Sequence, residues 1–338
     1  MNRCCLGLRW STFITLALSV GVSCIAAAAQ ESACLTDVPT LVTLPDYGLV
    51  RQLGPDQFLA HDKHGSVRIE AVETRRGPLR VLFVVETGKT VSEAARRVQT
   101  EVISEMLSSG KPEDSFALLT AHGPRTEVHF GANKEDLAAV VREIAKGISG
   151  KNQTGGVLDA IQEATEWFQP RREGDAILAL TTGIESNSNT SYGRVRDSLL
   201  KAHVRLFGFQ LGPIIGGYYR MGPIANAGGQ PVFTVSFDRN EDNLFSLTRE
   251  TGGFSAWENT AGDSMKEYRL TDERLQAVRQ MGLQVRKAVT EYYSVRLTHP
   301  ADGFVLELAT SVRKDLPQAQ IDYPMRFQEC TVPPPHPQ

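Results

Sequence analysis

The sequence predicts an α/β protein: a doubly wound, mainly parallel sheet with helices on both faces, plus a small β unit made from the two ends of the chain. Three observations carry this. The runs 81–85 and 176–180 are continuously apolar and end in polar turns, Glu86-Thr87-Gly88-Lys89-Thr90 and Thr181-Thr182-Gly183. Short apolar runs bounded by turn residues suit strands covered on both faces. Such strands alternate with amphipathic segments of helical length, as a parallel sheet with crossover helices requires. Segments that read only as strands flank this body on both sides.

In chain order, 41–44, 57–60 and 67–72 read as short strands, with His64-Gly65 as a hairpin turn between the last two. Arg75-Arg76-Gly77-Pro78 marks a boundary. After the strand 81–85, the spacing of Ala95, Val98, Val102, Ile103 and Met106 predicts a helix over 91–108. The runs 115–120 and 126–130 read as strands about the Gly123-Pro124 turn. Asn133 caps a helix from 134 to about 148. The next helix, 154–168, buries Val157, Leu158, Ile161, Ala164 and Phe168, and Pro170 stops it. Beyond the strand 176–180 come a helix at 192–203 and a strand at 204–211. A loop rich in Gly, Pro and Tyr follows over 212–231, then a short strand at 232–237. A helix at 244–251 is closed by Gly252-Gly253, and 271–290 is a long helix. Tyr292 to Leu297 alternates like a strand, as does 304–308 after the Asp302-Gly303 turn.

The 338 residues carry a net charge of −3, spread without long runs. That argues against a nucleic-acid binder or a polybasic membrane binder. Residues 1–29 differ from the rest. Arg3 and Arg9 precede a mostly apolar run over 12–25, and Ala26-Ala27-Ala28-Ala29 follows. This is the pattern of a secretory signal peptide cleaved near Ala29. The apolar run is shorter than the ~20 residues of a spanning helix, so no membrane span is expected in the mature chain. An uncleaved anchor is the competing reading; a lipoprotein reading through Cys24 lacks the usual large aliphatic residue before the cysteine. Cys34 and Cys330 remain after cleavage. In an oxidising compartment they favour one disulfide, with two free thiols or a metal pair as alternatives. The bond would close a loop of about 300 residues, worth ~5 kcal/mol in the chain-entropy model.

Gly88-Lys89-Thr90 between a strand and a helix invites a phosphate-binding reading. That loop needs a glycine five residues before Gly88, and Phe83 stands there. The order of elements instead resembles a von Willebrand factor type A domain: strand, polar turn, helix, then a Thr-Gly-Gly helix start, then strand and Thr-Thr-Gly. More narrowly it is similar to the secreted bacterial VWFA-related family common in acidobacteria. Leu53-Gly54-Pro55-Asp56-Gln57-Phe58 with His64-Gly65 and Ile69 looks like that family's lead-in hairpin. Leu247-Thr248-Arg249-Glu250-Thr251-Gly252-Gly253-Phe254 looks like its penultimate helix end, and 292–297 with 304–308 like its closing β segment. The resemblance spans about residues 40–325. The expected domain limits are 1–29 for the signal peptide, 30–77 and 291–330 for the two β segments packing together, 78–290 for the α/β body, and 331–338, rich in proline, for a disordered tail.

Such domains hold Mg²⁺ at the strand ends in a metal-ion-dependent adhesion site, where about six oxygens surround a hard cation. Carried onto this chain, the first-loop Asp is Glu86, the first Ser is Gly88 and the second Ser is Thr90. The second-loop Thr falls on Gly155, beside Thr154, and the third-loop Asp on Thr182. Glu185 lies three residues further on. The site is therefore degenerate, and no metal or other cofactor is expected; Mg²⁺ with altered ligands is the alternative.

Catalytic constellations are not evident. His61 and His64 lie in the lead-in hairpin, and Ser186, Ser188 and Ser191 lack the frame of an elbow nucleophile. The expected function is an exported, non-enzymatic protein-binding or scaffold protein whose partner is another protein of the cell envelope. Glu86, Lys89, Thr90, Glu185, Tyr218, Tyr219 and Arg220 are the candidate contact residues. An enzyme with an unrecognised site is the reading from a different class.

Overall fold

A computed structural model describes residues 35–45, 48–89, 91–147, 155–182, 188–211, 220–225, 231–236, 244–258, 271–298, 300 and 303–324. The expected signal peptide, Cys34, Cys330 and the tail lie outside these residues, as do Thr90, Thr154, Glu185, Tyr218 and Tyr219. No helix among the described residues is long and apolar enough to cross a membrane.

The lead-in holds β1 (Leu35–Thr43), β2 (Phe58–Asp62), β3 (Gly65–Ser66) and β4 (Ile69–Arg76). The body opens with β5 (Arg80–Glu86), α1 (Glu93–Ser108), β6 (Ser115–Ala121), β7 (Glu127–Val128) and α2 (Lys134–Lys146). It continues with α3 (Val157–Glu166), β8 (Ala176–Thr181), α4 (Tyr192–Ala202) and β9 (Arg205–Leu211). Then come β10 (Arg220–Ala225), β11 (Pro231–Ser236), α5 (Leu244–Glu250), β12 (Ser255–Glu258) and α6 (Asp272–Thr290). The chain closes with β13 (Glu291–Thr298), β14 (Val305–Leu308), α7 (Thr310–Asp315) and β15 (Gln320–Asp322).

The six-stranded sheet has the order β12-β9-β8-β5-β6-β7. All its pairs are parallel except β6 with β7. Counted along the body, that is 6-5-4-1-2-3, the doubly wound order with its topological switch between β5 and β8. Every residue of β5 is buried because its two sides enter two different cores. Val81, Phe83 and Val85 pack with Val98, Val102 and Met106 of α1 and with Val278 and Val285 of α6. Leu82 and Val84 pack with Val157 and Ile161 of α3 and with Val195 and Leu199 of α4. Fully burying each such side chain stabilises the fold by ~1.5–3 kcal/mol. The expected doubly wound α/β class is the one observed.

Buried charges gather at the amino ends of these strands. Arg80 lies 3.6 Å from Asp175 and donates to the Pro170 carbonyl at 2.7 Å. Burial pushes the Asp175 carboxyl up. Arg205 donates to the carbonyls of Ala288 and Val289 at the end of α6. Asp114 accepts from Leu79 N–H and Arg286. These groups are tied into the framework, which leaves the carboxyl ends as the place for a site.

The terminal segments form two further sheets, β15-β1-β13-β4 and β14-β2-β3. β1 pairs antiparallel with β13, Leu35 opposite Thr298 through Thr40 opposite Tyr293. Val38, Phe58, Val295 and Leu306 meet in their common core. Asp322 of β15 pairs with Arg249 of α5 at 2.9 Å, which ties this unit to the body.

Several expected elements differ. Residues 212–231 do not form one structureless loop, because 220–225 are β10, paired antiparallel with β11. The strand expected over 126–130 shrinks to two residues: Phe130 leaves it to pack on Phe168 at 5.1 Å, and Gly131 turns the chain at φ +95°. The strand expected to end at 72 continues to Arg76 along β13. β12, α7 and β15 are additional.

Candidate functional site

β5 ends at Glu86, only 1% exposed. Val85 pairs with Leu180, so Glu86 stands level with Thr181 across the switch point. Its Oε2 accepts from Thr181 Oγ1 at 2.6 Å, Thr182 N–H at 2.6 Å and Thr182 Oγ1 at 2.9 Å. Its Oε1 lies 3.1 Å from Thr182 Oγ1 and 3.3 Å from His122 Nδ1. Charge-assisted bonds this short are strong ones. Burial alone would raise the carboxyl, but hydrogen bonds from His122, Thr181 and Thr182 outweigh it and hold the group below the usual glutamate range. From α1, the fully buried Gln99 donates through Nε2 to the carbonyls of Glu86 and Leu180 at 3.0 and 3.1 Å. One helix side chain thus bridges the ends of both central strands.

β6 delivers His122. Its backbone is left-handed, at φ +58°, and its N–H donates to the Gly155 carbonyl at 3.1 Å. Thr87 N–H donates to the Ala121 carbonyl at 2.9 Å. The crossing of these two loops leaves no room for side chains. A Cβ on Gly123 would lie 2.2 Å from Thr87 Oγ1, and one on Gly88 would lie 2.9 Å from the His122 carbonyl oxygen. Gly88 is therefore a packing requirement, and a serine oxygen has no place there.

The start of α3 is held by Asp159. Its Oδ1 accepts from Thr190 N–H at 2.8 Å and Asn189 N–H at 3.1 Å, and its Oδ2 from Asn189 N–H at 3.0 Å. Burial opposes ionisation, but hydrogen bonds from Thr190, Asn189 and Gly156 hold this carboxyl below its usual range as well.

Of the residues that the resemblance places around Mg²⁺, the described ones, Glu86, Gly88, Gly155 and Thr182, do not form a cation shell as they stand. Glu86 spends both oxygens on protein donors, Gly88 and Gly155 offer no side-chain oxygen, and Thr182 Oγ1 is turned onto Glu86. A hard cation needs about six oxygens and gains most from carboxylates. Among the described residues no cluster of three or more His, Cys, Asp or Glu is placed to hold a metal.

The structure brings Glu86, Gly88, Gly155 and Thr182 together at the switch point. Glu86, expected as a contact residue, has its carboxylate turned inward to Thr181 and Thr182. Lys89 is exposed at the tip of its turn, and Arg220 opens β10. His122, Gln99 and Asp159 are site residues that sequence reasoning missed. Only Asp159 left a trace, as an acid in the first turn of a helix.

No protein-family model matches the chain, and no curated protein matches it. Among solved structures it is similar to an aerotolerance-related membrane protein from Bacteroides fragilis NCTC 9343, at 15% identity and TM-score 0.40, covering 62% of this chain and 99% of that one. The conserved hypothetical protein BatB from Bacteroides thetaiotaomicron gives 15% identity and TM-score 0.38 over the same shares. The SpRpn10 VWA domain gives 12% identity and TM-score 0.31, covering 41% of this chain and 78% of that one. The assignment itself rests on strand order and layering: a 6-5-4-1-2-3 sheet, antiparallel only at β7, wrapped by helices on both faces, gives the body a von Willebrand A-like fold.

Proposed function

We propose that the chain is an exported, non-enzymatic binding or scaffold module that engages a protein of the cell envelope without a divalent cation. The contact surface is the set of loops at the carboxyl ends of the central strands, where open α/β sheets bind ligands. One observation carries the reading. The Glu86 carboxylate is sealed by Thr181, Thr182 and His122, so the first-loop acid serves the framework and is withheld from both cation and substrate. The exposed cation on the same loop, Lys89, is left to meet a partner.

The test is capture of a partner from the native envelope by the mature chain, in Mg²⁺ and in EDTA. The same protein is expected in both, and Lys89→Glu is expected to lose it. A partner retained only in Mg²⁺ would replace this reading with metal-dependent adhesion. Turnover of a substrate lost in Glu86→Gln would replace it with catalysis.

Export carries its own expected result. Mass analysis of the exported protein without reductant is expected to show an amino terminus near Gln30 and one peptide pair joining Cys34 to Cys330. Two alkylatable thiols would refute the disulfide, and an intact Met1 would refute cleavage.

A further inference from the structure

We infer that Asp159 is a positioning residue: with no metal, its carboxylate holds residues 189 and 190 of the third loop against the start of α3. This rests on the reading of the carboxyl-end loops as a recognition surface. A bridging cation would draw the loops together from a shared centre. Here the same loops are joined by two carboxylates with separate sets of donors. Glu86 takes the Thr182 N–H at one end of the third loop, and Asp159 takes the Asn189 and Thr190 N–H groups at the other.

The local sequence supports this division. The N-cap of α3 is Gly156, with no side chain to accept its N–H groups. Asp159, in the first turn, sits where the helix dipole favours an anion. Its reach extends beyond its own helix, and its N–H in turn faces Ser188 Oγ at 3.4 Å. Directly after the held segment, Ser191 caps α4 by accepting from Arg194 N–H. Asp159 thereby fixes the spacing between the starts of α3 and α4. A second observation is steric. A Cβ on Gly155 would lie 2.6 Å from Asp159 Oδ2 and 3.1 Å from its Cβ. Position 155, where the resemblance places a metal-binding threonine, is empty of side chain so that this carboxylate can sit there. A side chain at position 155 would have to shift the Asp159 carboxylate from its present place.

Hydrogen exchange of the mature protein tests this without any partner, so its outcome is independent of the capture experiment. In Asp159→Ala the amides of Asn189 and Thr190 are expected to exchange at least tenfold faster than in wild type. The Thr182 amide, held by Glu86, should keep its rate. Asp159→Asn, which keeps the shape and one acceptor oxygen, should fall between the two. Wild-type rates should be equal in Mg²⁺ and EDTA. Wild-type protection of Asn189 and Thr190 in both variants would overturn the inference. So would protection that depends on Mg²⁺, or uniform loosening of the Thr182 and Asn189 amides together in both variants.

Discussion

Glu86→Ala is expected to lower unfolding free energy by about 3 kcal/mol. The substitution strands the Thr181 hydroxyl, the Thr182 N–H and the Thr182 hydroxyl in a buried place, and each unsatisfied group costs ~1–3 kcal/mol. The hydroxyls can turn to other acceptors and the N–H cannot, which puts the sum near the lower end. Urea denaturation at pH 7 measures it, as a fall in midpoint with an unchanged slope. A loss under about 1 kcal/mol would mean that the clasp between β5 and β8 contributes little to the fold.

The same residue predicts a pH dependence. The folded-state pKa of Glu86 is held below its ordinary value by hydrogen bonds from His122, Thr181 and Thr182, which outweigh burial. Its stabilisation is therefore fully present above the unfolded glutamate value of ~4.3 and is lost as pH falls through the folded-state value. Glu86→Gln keeps the shape and removes the titration. The stability gap between wild type and Glu86→Gln should be constant near neutrality and close as pH falls below about 4. A gap that widened in acid would reverse the sign of the assigned shift.

The fold was more legible than the site, for a physical reason. A strand buried on both faces leaves an uninterrupted apolar run, so 81–85 and 176–180 declare themselves and their carboxyl ends follow. Glu86 and Thr182 were located by position alone. What Glu86 does there depends on His122, 36 residues away, whose left-handed backbone leaves no mark in a non-glycine residue. Gln99 lies on α1 among charged neighbours, and periodicity cannot distinguish a buried amide from a solvated one. Short elements were the other blind spot. β12 is four residues, Ser-Ala-Trp-Glu, with no period to read. It exists because β9 offers it an edge, Ser255 opposite Gly208.

That edge gives the second large effect. Gly253→Ala is expected to cost at least ~3 kcal/mol, at or beyond the upper end for overpacked sites. A Cβ at position 253 would lie 1.9 Å from the Leu206 carbonyl oxygen and 2.8 Å from its carbon. Neither side can withdraw. Leu206 is held in β9 by its pairing with Ile177. Gly253 N–H donates to the Thr248 carbonyl at 2.9 Å, and the Phe254 carbonyl accepts from Gly208 N–H at 3.0 Å. Relief requires β12 to part from β9, exposing the edge of the sheet and loosening Phe254 from Phe207, now 5.5 Å apart edge to face. Gly282 supplies the opposite sign. It lies inside α6, and a Cβ there would meet Val102 at 3.6 Å, an ordinary contact. Gly282→Ala should therefore stabilise by ~0.5–1 kcal/mol, the usual gain from replacing a helical glycine. Thermal unfolding of the two variants checks the pair. A Gly253→Ala midpoint at or above that of wild type would refute the close approach to β9, and a lowered Gly282→Ala midpoint would refute the open contact with Val102.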